Sequence, residues 1–197
     1  MEIDLARLIT RVSTYPNRSG RSYELRYRTL NQSSIEIYYT ITRGAATREV
    51  RRKFPRVVTI NERFLWVLGL LRGEGLKSRG SKSSMYRFNV VNNDLAVIKS
   101  VIRVLDESNL AKFEEVKGRG GLVRISYGPN CDTREARRFW AVGLDIEIGN
   151  VEIAQKPEPQ KRAIHGSCMF TINDVLLRRV MDLIADYVYT QQFVQRL

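Results

Sequence analysis

The chain has 197 residues, a formal net charge of +12, a pI near 10.0 and 43% hydrophobic residues. That length supports one domain, or two small half-domains around a shared core. Arg and Lys are spread along most of the chain rather than gathered in a tail. Such a spread predicts a folded protein with a basic face, for which nucleic acid is the usual partner. An anionic membrane is the weaker alternative, because no basic amphipathic helix stands out. The two cysteines, Cys131 and Cys168, form no CxxC pair, and His165 is the only histidine. This argues against a zinc site, a disulfide framework and His-dependent nucleophilic catalysis. The N-terminus, MEIDLARLITRV, carries acids early and has no signal-peptide core. The oily stretch FLWVLGLL is too short to span a bilayer. A cytoplasmic protein is expected.

In chain order, residues 3–12 suggest a short helix, and residues 1–20 are otherwise unplaced. SYELRYRTL (22–30) alternates Tyr23, Leu25 and Tyr27 with Glu24, Arg26 and Arg28. NQSS is a turn, and SIEIYYTITRG (34–44) puts Ile35, Ile37, Tyr39 and Ile41 on one face. Together they predict a β-hairpin over 22–43. REVRRKFPR (48–56) reads as a basic linker through Pro55. Thr59 or Asn61 then caps a helix, FLWVLGLLRGE. KSRGSKSS (77–84) is a basic loop. MYRFNVV (85–91) is a strand with Tyr86, Phe88 and Val90 opposite Arg87 and Asn89. Asn92 or Asn93 caps a helix over 94–108, with Leu95, Ile98, Ile102 and Leu105 in one stripe.

The same grammar then restarts. AKFEEVK (111–117), the turn GRGG and LVRISYG (122–128) read as a second hairpin. PNCDT is a turn and cap, and REARRFWAVGLDIEI (134–148) is a helix with an acidic end. NVEIAQK (150–156) and HGSCMFTI (165–172) read as a hairpin around KPEPQKR, before a final helix over 173–194. Phe88–Asp94 resembles Phe170–Asp174, each leading into a helix. An internal duplication is the expectation. The division is 1–58 as an N-terminal extension, 59–110 as the first repeat and 111–197 as the second.

The oily helix ends in Arg-Gly-Glu-Gly. Glycine inside a helix costs up to ~1 kcal/mol relative to alanine. A carboxylate also sits badly at the negative end of a helix dipole. Two unfavourable local choices side by side suggest a tight packing site or a working carboxylate. VLGLLRGEG (67–75) resembles the signature of LAGLIDADG homing endonucleases, a helix end of the pattern hydrophobic, x, Gly, x, x, Asp, small, Asp/Glu, Gly. Gly69 falls on the first glycine, Gly73 on the small position, Glu74 on the metal-binding acid and Gly75 on the final glycine. Arg72 stands where the pattern has its earlier acid. WAVGLDIEI (140–148) is a weaker second copy. One frame puts Asp145 and Glu147 on the acidic positions, with bulky Val142 and Ile146 where small residues belong. The other starts at Gly143 and moves Glu147 off.

The resemblance implies an α+β fold of two pseudo-twofold-related repeats. Antiparallel sheets would form a DNA-binding saddle around a central helix pair, packed through Gly69, Gly73 and Gly143. Glu74 and Glu147, with Asp145 as the fallback, would be the catalytic acids. Glu74 and Glu147 would hold Mg²⁺ or Mn²⁺. Metal there would polarise a phosphate and generate hydroxide. Arg26, Arg28, Arg87 and Arg124 lie opposite the apolar sets of their strands, and Lys77, Arg79 and Lys82 follow the motif. These fit contacts to double-stranded DNA, with RNA as the other possible partner. Lys77, Lys117 and Lys156 are candidates to support the attacking water. Two repeats in one chain imply a monomer. The expected function is a metal-dependent, site-specific DNA endonuclease. The alternative is a former endonuclease kept as a DNA-binding regulator or RNA-binding maturase. The hairpin 22–43 is expected to complete the sheet of the second repeat, as in a circular permutation.

Overall fold

The computed structural model describes residues 1–11, 14–16, 22–75, 87–159 and 163–194. The chain is α+β. It begins with β1 (Glu2–Asp4), α1 (Leu5–Arg11), β2 (Thr14–Pro16) and β3 (Ser22–Glu24). A meander follows: β4 (Arg26–Asn31), β5 (Ser34–Arg43) and β6 (Ala46–Pro55). Then come β7 (Val57–Thr59) and α2 (Glu62–Leu70), which runs into a π-turn, Leu71–Gly75. After the undescribed stretch come β8 (Phe88–Asn92), α3 (Leu95–Glu107), α4 (Phe113–Val116), β9 (Val123–Ser126) and α5 (Thr133–Leu144). The chain continues through a 3₁₀ turn (Ile148–Asn150), β10 (Val151–Ile153), β11 (Ser167–Ile172) and α6 (Val175–Val194).

Among the described residues the strands fall into separate sheets: β4-β5-β6, β10-β9-β11-β8, and the pairs β1-β7 and β2-β3. The 22–43 hairpin forms essentially where alternation put it. It does not complete the four-stranded sheet. Its third strand is β6, the segment read as a linker, paired with β5 from Ser34↔Pro55 to Arg43↔Ala46. Only Phe54 of β6 is buried, so the strand lacks the apolar alternation that would announce it. Its place in the fold is fixed by the ladder to β5.

The second sheet is mixed. β9–β11 and β11–β8 are antiparallel, but β10 runs parallel to β9. The hairpin expected from NVEIAQK and HGSCMFTI is therefore absent, because β9 lies between the two strands. AKFEEVK is helical rather than extended. Phe113 and Val116 are spaced by a helical turn across two glutamates, and Asp106 Oδ1 accepts from Phe113 N at 2.7 Å. Glu114 and Glu115 lie in the first turn of α4, where carboxylates suit the helix dipole.

The core is continuous across both sheets. Phe88, Val90, Val123, Ile125, Val151, Phe170 and Ile172 bury one face of the four-stranded sheet, while Ile35, Ile37 and Phe54 bury one face of the meander. Trp140 of α5 is fully buried, and its indole N–H donates to the His165 carbonyl at 2.8 Å. Helix starts are fixed by acceptors. Asn61 Oδ1 accepts from Phe64 N, Asp94 Oδ1 from Ala96 N, and Asp132 Oδ1 from Arg134 and Glu135 N. Each such cap contributes about 1 kcal/mol. Asp94 is the cap of α3, not Asn92 or Asn93; Asn92 instead accepts from Asp94 N at 2.9 Å.

No helix among the described residues is long and apolar enough to cross a membrane.

Candidate nucleic-acid interface

The acids named by the motif occupy different parts of the fold. Glu74 lies in the π-turn that ends α2 and packs against β8, and only its backbone is described. Helix α5 stops before its acids. Asp145 adopts a left-handed conformation, φ 54°, and Ile146 N reaches back to Ala141 O at 3.0 Å. This is a Schellman-type stop, which an aspartate tolerates better than most side chains. Asp145 therefore terminates the helix, and its exposed carboxylate lies 3.5 Å from Lys117 Nζ. Lys117 is 2.8 Å from Glu114, and that hydrogen bond is the first cause holding its ammonium pKa above the usual value. Glu147 is exposed outside the helix and opens the 3₁₀ turn into β10.

β8 and β10 are the two edges of the four-stranded sheet. Three strand spacings amount to about 14 Å. The Glu74 segment sits against one edge and the Glu147 segment leads into the other. The backbone segments that carry Glu74 and Glu147 thus lie toward opposite edges of the sheet, and no step through a metal is derived from them. Among the described residues no three His, Cys, Asp or Glu side chains converge.

The glycines differ in the same way. A Cβ on Gly143 would fall 2.5 Å from Leu95 Cδ2, so this glycine does permit a close approach. The neighbour is α3, not α2. The helix packing runs α2 on α3 and α3 on α5, and α2 and α5 share no comparable contact. A Cβ on Gly69 would find Tyr189 Oη at 3.7 Å, and on Gly73 nothing within 4 Å. Neither is needed for a helix crossing among the described residues. Arg72, the departure from the motif, acts locally. Its guanidinium stacks 4.0 Å above the Tyr189 ring and lies 3.3 Å from Asp186, fastening the end of α2 to α6. An acid there would face Asp186.

No family model matches the chain, and no curated protein matches it in sequence.

The basic residues form a more coherent set. On the outer face of the meander, two rows cross all three strands: Arg26, Tyr38, Arg51 and Arg28, Glu36, Lys53. Arg26 and Arg28 are in part neutralised. Arg26 lies 2.6 Å from Glu24. Arg28 lies 2.5 Å from Glu36 and 3.4 Å from Glu49, and stacks 5.0 Å over Tyr38. Arg51 and Lys53 are exposed and form no ion pair with another described residue. Sequence reading missed both, because β6 shows too little apolar alternation to read as a strand. On the second sheet, Arg124 is exposed and registers with Met169 and Glu152. Arg87 is exposed just before β8, and its carbonyl accepts from Arg178. Lys156 is exposed beyond β10. Lys99 and Arg103 on α3, with Arg134, Arg137 and Arg138 on α5, present further exposed cations on helices that pack together. Lys77, Arg79 and Lys82 lie outside the described residues.

Proposed function

We propose that this chain is a nucleic-acid-binding protein that holds the phosphate backbone, with duplex DNA as the expected partner. The observation that carries this reading is the outer face of the meander, where Arg51 and Lys53 stand uncompensated beside the Arg26 and Arg28 rows. A net charge of +12 supplies the long-range attraction. Tyr38, between Arg26 and Arg51, carries the stacked Arg28 guanidinium on the same face. Binding should be strongly salt-dependent, with the logarithm of affinity falling by about 0.9 per phosphate contact per decade of salt on B-DNA. Fluorescence anisotropy with a labelled duplex over a salt series tests this, and a flat salt response would overturn it.

The two-repeat LAGLIDADG-like architecture belongs to this proposal. In its favour, β8 and β11 each lead through an aspartate cap, Asp94 or Asp174, into a helix, and pair with Asn89 opposite Thr171. Against it stand α4, the parallel β10 and the packing of α2 and α5 each on α3.

A second reading, the metal-dependent endonuclease, rests on Glu74 alone. Its helix ends in a π-turn, a deformation frequent at functional sites. Incubating a randomised duplex library with Mg²⁺ or Mn²⁺, beside Glu74→Gln and a metal-free control, decides it. Metal-dependent cutting lost in the variant supports this reading. Retention of duplex without cutting leaves the binding function alone.

A further inference from the structure

β6 is one of the two edges of the meander, so one side of its backbone is not used by the sheet. Facing that edge is the segment from Asn109 through α4 to Arg119, and between them runs a cleft of about 700 Å³. Arg51 and Lys53 come from the strand wall, Lys112 and Arg119 from the opposite wall. Two acids lie among them. Asp174 is already matched, because Arg52 donates to its Oδ2 and, at 2.8 Å, to the Leu110 carbonyl. Glu115 has no ion-pair partner among the described residues. Lys112 gives one N–H to the Asp106 carbonyl at 2.8 Å, leaving the rest of its ammonium to the solvent side. Four cations thus answer one free carboxylate.

The apolar lining offers no anchor for a peptide. Phe54 and Leu110 are 1% exposed and Val116 is 4%, so no apolar pocket opens into the cleft. A ligand held here is held by charge and by hydrogen bonds. Arginine forks and ammonium groups on both walls match phosphate oxygens.

We propose that this cleft is a phosphate-binding channel that receives a phosphodiester strand between β6 and the α3–α4 junction. The identity of the anion rests on the nucleic-acid reading above. The cleft extends that reading from a flat sheet face to a two-walled site, in which Lys112 and Arg119 carry part of the affinity.

The test is lysine footprinting of the full chain by mild acetylation and mass spectrometry, with a duplex DNA, with pyrophosphate, or with chloride at matched ionic strength. Lys53 and Lys112 should be protected several-fold by the duplex. In parallel, R51Q/K53Q/K112Q/R119Q should lower the salt slope of duplex binding by about 3 to 4, at ~0.9 per lost contact. K53Q/K112Q, with half the change, guards against misfolding of the fourfold variant and should lower the slope by about 2. Duplex bound with unchanged Lys53 and Lys112 rates, or with an unchanged slope, overturns the channel. If the chain binds no duplex, the duplex reading fails by itself. Pyrophosphate then decides the cleft: protection of both lysines upholds a phosphate site, and unchanged rates overturn it.

Discussion

Gly143 of α5 lies so close to Leu95 of α3 that a Cβ there would meet Leu95 Cδ2 at 2.5 Å and Cγ at 3.3 Å. Gly69 of α2, the better match to the motif, has only Tyr189 Oη at 3.7 Å. The two glycines should therefore respond oppositely to alanine. G69A gains helix propensity of up to ~1 kcal/mol without a clash. G143A gains the same propensity but must displace Leu95, and overpacking costs about 1–3 kcal/mol, so the net loss is smaller than that cost. Urea denaturation of the two variants checks this: the midpoint should rise for G69A and fall for G143A.

Arg72→Asp would restore the acid of the LAGLIDADG pattern. It should weaken the fold. It removes the stacking on Tyr189, worth ~0.5–1 kcal/mol at an exposed site. It also turns a surface attraction to Asp186 into a repulsion, a change of at most ~1 kcal/mol given the exposure of both groups. The expected loss is about 1–2 kcal/mol by summing these, read from the thermal midpoint, and it should shrink with added salt.

Thr171 is 5% exposed and its hydroxyl has no partner among the described residues, facing Asn89, whose Oδ1 is also unmatched among them. A buried, unmatched hydroxyl costs about 1–3 kcal/mol. Thr171→Val keeps the shape and removes the hydroxyl, so it should stabilise the protein. A lower melting temperature in T171V would show that the hydroxyl is matched in solution.

The thiols should separate by reactivity. Burial pushes the Cys168 thiol up to about 12, while Cys131 is only partly covered. At pH 8 a disulfide reagent should label Cys131 in the native protein and reach Cys168 only on unfolding. The linkage has a definite sign. The folded state holds the Cys168 proton more tightly than the unfolded chain, so this contribution is complete below the ordinary thiol value of 9.0 and is lost as pH rises toward about 12. Cys168→Ala should flatten the alkaline fall in stability.

Local signals carried much of the fold. Alternation located β4, β5 and β8, the segments of β9 and β11 read as strands, and the helical stripe of α3 and the cap within PNCDT fell where spacing put them. What was not legible depended on partners far along the chain. β6 has too little apolar alternation to show itself and exists because β5 pairs with it. The parallel β10 is set by its place beside β9, which no local pattern encodes. The acidic end of α5 read as a continuing helix because nothing in a side-chain period announces an aspartate in the left-handed region. For the site, individual exposure of Arg26, Arg28, Arg87 and Arg124 could be read from alternation. Their ion partners and the cleft across from Lys112 could not.

Binding of nucleic acid through its phosphate backbone is the central proposal, and the identity of the anion in the cleft rests on it. It is tested most directly by the anisotropy of labelled duplex DNA titrated with the full chain from low to high salt, with single-stranded DNA and RNA as competitors. Saturable binding is expected, with the logarithm of affinity falling steeply and linearly with the logarithm of salt, at about 0.9 per phosphate contact. R51Q/K53Q should give a shallower line. No binding at low salt, or an affinity indifferent to salt, would contradict it.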